Sequence, residues 1–476
     1  MSVTIISFVL ILLAITATGA MSVIHKRRHP RDYLVASRRI PPWLSALSTV
    51  ATNNSGFMFI GMIAYTYRLG IEAVWMMVGW VLGDMLMWLF VHPRVRRASA
   101  DEDTRSLPGM VGTRLRDGTV MRPVVVLAGL ITIVFLGVYA AGQLKAGSTA
   151  LHALFGWDMW VGAVIGTAIV ILYSYAGGIR ADIWTDAAQS FAMIISMAMI
   201  LGAGAMEIGG WDALMDNLRA QDPSLVRWMP DELAFGLLPF ITGFMFAGIS
   251  AAGQPHLMTR IMAIESVDSI PRAGFYYFAW YIPFFVASIG VGLYCRAIIP
   301  DIATLPLAEG LREPTELALP LITMRLLPEF FVGLALAGLF AATISTADSQ
   351  IIVCSGAMTQ DVRPRWQNSY LASKLATFSV AGLALGIALY APEGVFGLVL
   401  IAWSALGASL TPVLVLQLFG RPPGTATALA MMIAAVATVS FWHLSPWNDD
   451  VFKALPGAVA AVLVYGTARL AALARR

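Results

Sequence analysis

Ser345, Asp348 and Ser349 follow one another at i, i+3 and i+4, so they share one face of any helix that carries them, with Thr346 beside them. GLALAGLF precedes this group and IIVCSGAM follows it, which sets a carboxylate and several hydroxyls inside an apolar segment. Such groups are expensive there unless they meet a cation, a proton or a hydrogen-bond donor. Hard oxygen ligands suit a hard cation, and hydroxyls with main-chain carbonyls suit a singly charged one such as sodium. The competing reading has the serines bonding back to their own helix and Asp348 paired with Arg or Lys. Against it, no basic residue is expected at a comparable depth nearby.

A second stretch, Ala46 to Gly61, reads ALSTVATNNSGFMFIG and packs Ser48, Thr49, Thr52, Asn53, Asn54, Ser55 and two glycines into an apolar segment. Exposed polar groups and non-helical backbone cannot face lipid, so it must face protein or a water-lined cavity. It reads either as a broken helix whose freed carbonyls hold a cation or as a polar helix–helix seam. A third stretch, Tyr173 to Gln189, has paired glycines that end one helix and Trp184-Thr185-Asp186 opening the next. Asp186 is favoured near a helix start by the dipole, or else it points inward to the bundle. Asp84 reads as a buried pair with a hydroxyl or backbone, in preference to a proton relay. His25, His29 and His92 are expected at lipid headgroups and His256 as a helix end cap. Cys295 and Cys354 read as small buried hydrophobes. No His/Cys/carboxylate cluster has metal-enzyme spacing, no nucleophile–base pair stands out and no GxxxxGKS loop is present, which excludes an ATP-driven machine and argues against an enzyme.

The elements that must position these residues are membrane helices. Hydrophobic residues make up 58% of the 476 and charged residues 12%, with a mean hydropathy of +0.75. No soluble domain of this length has that composition. Apolar runs of spanning length recur from end to end, so the fold class is an all-α polytopic membrane protein and not a barrel. Spans are expected at Val3–Ile24, Trp43–Tyr67, Ala73–Val91, Pro123–Leu144, Met159–Tyr175, Trp184–Met206, Leu233–Ala252, Gly274–Tyr294, Glu329–Cys354, Ala372–Leu389, Gly394–Leu418, Ala426–Trp442 and Val451–Ala468, about 13 helices at roughly twenty residues per crossing. The first run lacks an Ala-x-Ala site and is read as retained. Lys and Arg cluster on alternate loops, Arg260 among them, which gives an N-out, C-in arrangement. The loop 297–328 is expected to hold a short interfacial helix around Pro314 to Met324. Interrupted segments in the second and seventh spans suggest an inverted five-helix repeat. The chain then forms a single transmembrane domain: an extra N-terminal helix at 1–24, repeats at 42–207 and 232–418, and two C-terminal helices at 424–470.

Taken together, DYLVASRRIPPWLSALS with the polar break after it, YSYAGG and WTDAAQ, GQPHLMTRIMA at Gly253–Ala263 and ATISTADSQIIVCSGAMTQDV at Ala342–Val362 carry a resemblance. The chain resembles the sodium:solute symporters, and within them the sodium/proline symporter branch, over nearly its whole length. The resemblance implies a leucine-transporter-type five-plus-five fold with sodium between the broken second helix and the ninth. Carried over by position, the ion is held by the carbonyls of Ala51, Asn54 and Ala342 and the hydroxyls of Ser345 and Thr346. In some members a second site uses an aspartate at the position of Asp186 with serines one turn further along the ninth helix, where this chain has Asp348 and Ser349; a cation or a proton would bind there. Solute would meet Asn53, Ser55, Gly56, Phe57, Tyr139, Ala247, Ala251 and Gln254, with Tyr139 and Phe57 as walls.

Departures from the branch are Asn53 for its aspartate, Phe57 for a tryptophan, and Ala247 and Ala251 for aromatic residues, while Tyr139 is kept. They imply a roomier pocket than one for proline, and a cation-serving carboxylate moved to Asp348. The function expected is secondary symport, in which inward sodium drives uptake of a small organic solute, an amino acid or related compound. The alternatives are a proton-coupled symporter and a solute sensor with a separate signalling partner. Sodium is the coupling ion, or a proton in its place, with no organic cofactor. Lipid and the solute are the partners, nucleic acid is not, a monomer suffices, and the location is the plasma membrane, the bacterial inner membrane.

Overall fold

A backbone in hydrocarbon must satisfy its own hydrogen bonds, and this chain does so with helices. The computed structural model describes residues 2–22, 38–115, 117–176, 179–230, 233–367 and 369–474; most of the DYLVASRR motif and the Gly177-Gly178 pair lie outside them. The main helices are α1 (Val3–Ser22), α2 (Pro42–Gly56), α3 (Ile63–Leu69), α4 (Val74–Leu86), α5 (Arg122–Phe155), α6 (Met159–Ala176), α7 (Ile179–Ile208), α8 (Trp211–Gln221), α9 (Leu237–Ile249), α10 (Pro255–Ala263), α11 (Ile270–Ile298), α12 (Ala318–Leu326), α13 (Glu329–Gly356), α14 (Tyr370–Tyr390), α15 (Val395–Leu418), α16 (Thr425–His443) and α17 (Ala454–Ala474). Among the described residues the β-structure is two isolated bridges, Ile40 with Ile264 and Thr113 with Val120.

Among the described residues nine helical stretches are long and apolar enough to cross a membrane, and a bent pair makes ten. One of the nine, Pro42–Asp101, is 60 residues long and holds several helical segments, with Gly70 at φ 72° after α3. Val3–Thr18 and Met159–Leu172 are shorter apolar helices. Burial sorts the helices into centre and rim. The most apolar windows of Glu329–Val362 and Val395–Leu418 are 83% buried, whereas that of α17 is 17% buried, so the hydroxyl-bearing α13 lies at the middle of the bundle.

Two breaks shape that middle. Within α2, Ser55 takes φ 43° and ψ −157°, a left-handed excursion that costs a non-glycine residue energy. A π-helical turn, Phe57–Met62, follows. Gly56 allows the break to press on its neighbours, since a Cβ there would stand 2.6 Å from Ala146 Cβ of α5 and Thr343 Cγ2 of α13. The second break separates Leu237–Gly253 from α10 by 59°. Gln254 is extended between them and Pro255 opens α10, a position where its missing N–H is harmless. Beside this break, α9 crosses α4 backbone to backbone. A Cβ on Gly83 would overlap Met245 O, and one on Gly248 would overlap Trp80 O.

Two expectations change. α7 starts at Ile179, ahead of Trp184, so Asp186 stands in the body of the helix and not at its start. Arg260 is no loop charge: it is 0% exposed. The outer stretch Gly209–Pro230 contains the amphipathic α8, which buries Leu214 and Leu218. Cys295 and Cys354 are free and buried, as their surroundings imply, and the short helix expected near Pro314 to Met324 appears as a 3-10 turn followed by α12.

Candidate cation and solute site

Arg260 reaches from α10 into the seam where α2, α7 and α13 meet. Its Nη2 donates to Asp186 Oδ2 at 2.7 Å, Asp182 Oδ2 at 2.8 Å and Ser349 Oγ at 2.9 Å. Nε donates to Ser48 Oγ at 2.8 Å, and Nη1 to the carbonyl of His256 at 2.9 Å. Around Asp186 the hydroxyls of Ser48 and Thr52 donate to Oδ2 at 2.7 and 3.1 Å, and that of Ser345 donates to Oδ1 at 2.7 Å. Ser349 Oγ donates to Asp182 Oδ2, and Ser345 Oγ lies 3.3 Å from Asp182 Oδ1. Both side chains of each ion pair are almost wholly buried, at 0% and 4% exposure for Arg260 with Asp182 and 0% and 1% for Arg260 with Asp186. Two carboxylates thus share one guanidinium. A monovalent cation fits the remaining negative charge, and the donor set of carboxylate and hydroxyl oxygens is the kind that hard cations choose.

Asp186, Ser345 and Ser349 are brought together here. Asp348 is buried and has a partner of its own, but the carboxylate beside Ser349 and Asp186 is Asp182, which sequence reasoning missed. Arg260 also overturns the expectation of no basic group at the depth of this face. The signal existed: between Ser250 and Glu265, Arg260 is the one Lys, Arg, Asp or Glu in an apolar run.

Ala51, Asn54, Ala342 and Thr346 are all buried on the two helices that meet at the break. Asn54 Nδ2 donates to the carbonyl of Val50 at 2.7 Å, and its Oδ1 is buried without a partner. Gly56 N donates to Gln143 Oε1 at 2.9 Å, which ties the break to α5.

The residues proposed for the solute converge on a set of rings. Phe57 stacks on Phe396 at 5.6 Å and meets Trp80 at 5.7 Å, and Trp80 meets Trp403 at 5.2 Å. Trp403 Nε1 donates to the carbonyl of Ala247 at 2.7 Å, while Gln254 Nε2 donates to the carbonyl of Trp403 at 3.0 Å. Tyr139 lies edge-on to Trp403 at 6.2 Å and to His256 at 5.4 Å. Ala251, Ser55 and Gly56 are buried nearby on the breaks. Trp80 and Trp403 thus stand beside Phe57 and Ala247, two large rings that the sequence reading did not place there. His256 is no end cap: α10 has no side-chain cap bond, and both ring nitrogens are buried without partners. His92 is likewise buried, edge-on to Trp88 at 4.8 Å, and not at a headgroup. Asn53 is held by Tyr277, whose hydroxyl also bonds Asp84, so the carboxylate nearest in the network to Asn53 comes from α4 and not from Asp348.

A model of the sodium:solute symporter family matches residues 33–435. The chain belongs to that family. It is 28% identical over 441 residues to the high-affinity proline transporter PutP of Bacillus subtilis, covering 91% of this chain and 90% of the relative. A sodium/proline symporter of Staphylococcus aureus is 27% identical over 478 residues, covering 96% and 89%. Among solved structures, a substrate-bound, outward-open Na+-coupled sialic acid symporter matches with a TM-score of 0.78 at 20% identity, over 99% of this chain and 98% of that one. A nucleobase-cation-symport-1 family transporter in a closed conformation matches with a TM-score of 0.59 at 14% identity, over 94% and 96%. At these identities the two structures establish the fold. The relatives are transporters, not enzymes, and this family member is an integral protein of the bacterial plasma membrane.

Proposed function

We propose that this symporter couples inward sodium movement to uptake of a small organic solute with a polar or charged headgroup, an amino acid or related compound. The observation that carries the reading is the sharing of Arg260 by Asp182 and Asp186 in a seam lined by Ser48, Thr52, Ser345 and Ser349. One buried negative charge there is left for a coupling cation, with Asp186 at the centre of the second cation site. The first sodium would sit between the carbonyls of Ala51, Asn54 and Ala342 and the hydroxyls of Ser345 and Thr346. Its support is the pressed contact of the Ser55 break with α13. Solute would bind at Asn53, Ser55, Gly56, Phe57, Tyr139, Ala247, Ala251 and Gln254, where buried acceptors such as Asn53 Oδ1 and Gln254 Oε1 stand unpartnered. Counting Pro42–Asp101 as two crossings and adding α1 and α6 gives thirteen spans, and the breaks in the second and seventh support inverted repeats at 42–207 and 232–418.

The test is thermal unfolding of the purified protein in sodium chloride against choline chloride at equal ionic strength. A ligand at a hundred times its Kd stabilises by about 2.7 kcal/mol. Sodium-specific, saturable stabilisation that Asp186→Asn weakens is expected. Equal curves in the two salts would overturn the sodium reading.

A further inference from the structure

Asp84, on α4, is 1% exposed. It belongs to no ion pair among the described residues, and its hydrogen-bond partner there is the Tyr277 hydroxyl, 2.6 Å from Oδ2. That hydroxyl stands 2.5 Å from Asn53 Nδ2. Asn53 Oδ1 is buried with no partner, two residues before the Ser55 break. α4, α11 and α2 therefore contribute one group each to a short chain that begins at a titratable carboxyl and ends at the broken helix.

A phenol has one proton to give, and an amide has a donor end and an acceptor end. While Asp84 is ionised it can only accept, so Tyr277 donates to it and leaves its oxygen to accept. Asn53 must then turn its NH2 toward Tyr277, which holds Oδ1 outward as an acceptor. When Asp84 takes up a proton, the carboxyl can donate to the phenol oxygen, and the phenol proton is free for Asn53. The amide then turns its oxygen to Tyr277 and offers NH2 outward.

We propose that Asp84 is a positioning residue for solute recognition: acting through Tyr277, it sets whether Asn53 presents an acceptor or a donor to the solute. The ionised state selects an N–H donor such as a primary or secondary ammonium, and the protonated state selects a carboxylate. This rests on the placing of Asn53 at the solute site. Few other groups compete. Neither α9 nor the Ser250–Gly253 turn has a titratable side chain, α11 brings Tyr277 and Tyr281 while its Arg272 is exposed, Glu72 precedes α4 at the helix's other end, and His92 lies beyond Trp88.

The experiment is pH-difference infrared spectroscopy of the full chain in lipid, between about pH 4 and about pH 9, the range into which surroundings move buried carboxyls. The expected result is loss of a protonated-carboxyl band on raising pH, together with a side-chain amide shift that Asn53→Leu removes. Asp84→Asn abolishes both, whereas Tyr277→Phe keeps the carboxyl band and loses the amide shift. A carboxyl band unaffected by Asp84→Asn, or an amide shift that survives Tyr277→Phe, overturns the proposal. With pyrrolidine and tetrahydrofuran-2-carboxylate, a secondary ammonium and a carboxylate taken singly, as probes in thermal-shift titration, the apparent Kd of pyrrolidine improves at least about tenfold as Asp84 ionises, the worth of one hydrogen bond to a charged group, that of the carboxylate worsens, and both profiles are flat in Asp84→Asn. A pH-flat Kd for both probes in the wild type, or no binding of either, also overturns it. Failure of the symport reading shows separately, as absence of sodium-specific stabilisation.

Discussion

Replacing Arg260 with methionine isolates the charge arrangement of the buried seam. Its Nη2 lies 2.7 and 2.8 Å from the Asp186 and Asp182 oxygens. With charge centres about 4 Å apart and an effective dielectric of about 20, each attraction is worth about 4 kcal/mol. Two carboxylates held by one nitrogen lie about 5 Å apart and, left alone, repel by roughly 3 kcal/mol. They would relieve this by taking up a proton or sodium, so the net cost of Arg260→Met falls to the about 3–5 kcal/mol found when a buried pair loses one partner. If charge is the cause, removing one carboxylate as well should restore part of it. Arg260→Met with Asp182→Asn is expected to be about 1–3 kcal/mol more stable than Arg260→Met, a coupling typical of residues in one network. Tryptophan-fluorescence melting in choline chloride measures both. A double variant no more stable than the single one would refute the reasoning, because a loss of shape alone would add.

Glu316, in the outer turn before α12, accepts from Phe396 N at the start of α15. Burial lifts its carboxyl from 4.5 to about 7, opposed by the amides of Phe396 and Val395. Folding thus favours the protonated form, so the stabilisation is complete below about pH 4.5 and lost as pH rises through about 7, a change of about 3 kcal/mol. Glu316→Gln should flatten that part of the stability–pH curve, and an unchanged slope would count against it. At the α4–α9 crossing, Gly83→Val should destabilise by about 3 kcal/mol or more, because the new side chain meets the Met245 carbonyl; wild-type melting in that variant would show that the backbones are not in contact.

The helices were readable because spanning length and apolarity leave little choice. Small polar residues from Ala46 to Gly61 also marked the interrupted stretch, though nothing in them singled out Ser55 as the residue that turns left-handed. The seam was half visible. Asp186, Ser345 and Ser349 stood out by type and spacing, yet Asp182 fell in the link ahead of the helix expected from Trp184 and Arg260 read as one more loop arginine. Periodicity shows which residues share a helix face but not which helix they meet. Tyr277, within the ring-rich run FYYFAWY, gave no sign of the two polar groups on its hydroxyl. Trp403 and Trp80 were hidden for the same reason, since an aromatic side chain in an apolar helix looks alike whether it packs against lipid, core or solute.

The convergence of bonds on Arg260 bears on how the molecule can change shape. α2, α7 and α13 all meet that one guanidinium, and its own helix lies just past a 59° bend. None of these helices can draw away alone without stripping a buried charge of part of its shell, so separation on this side is all-or-none. Two stable arrangements with a sparsely visited ridge between them are what alternating access requires, since a passage ajar at both ends would let sodium leak without cargo.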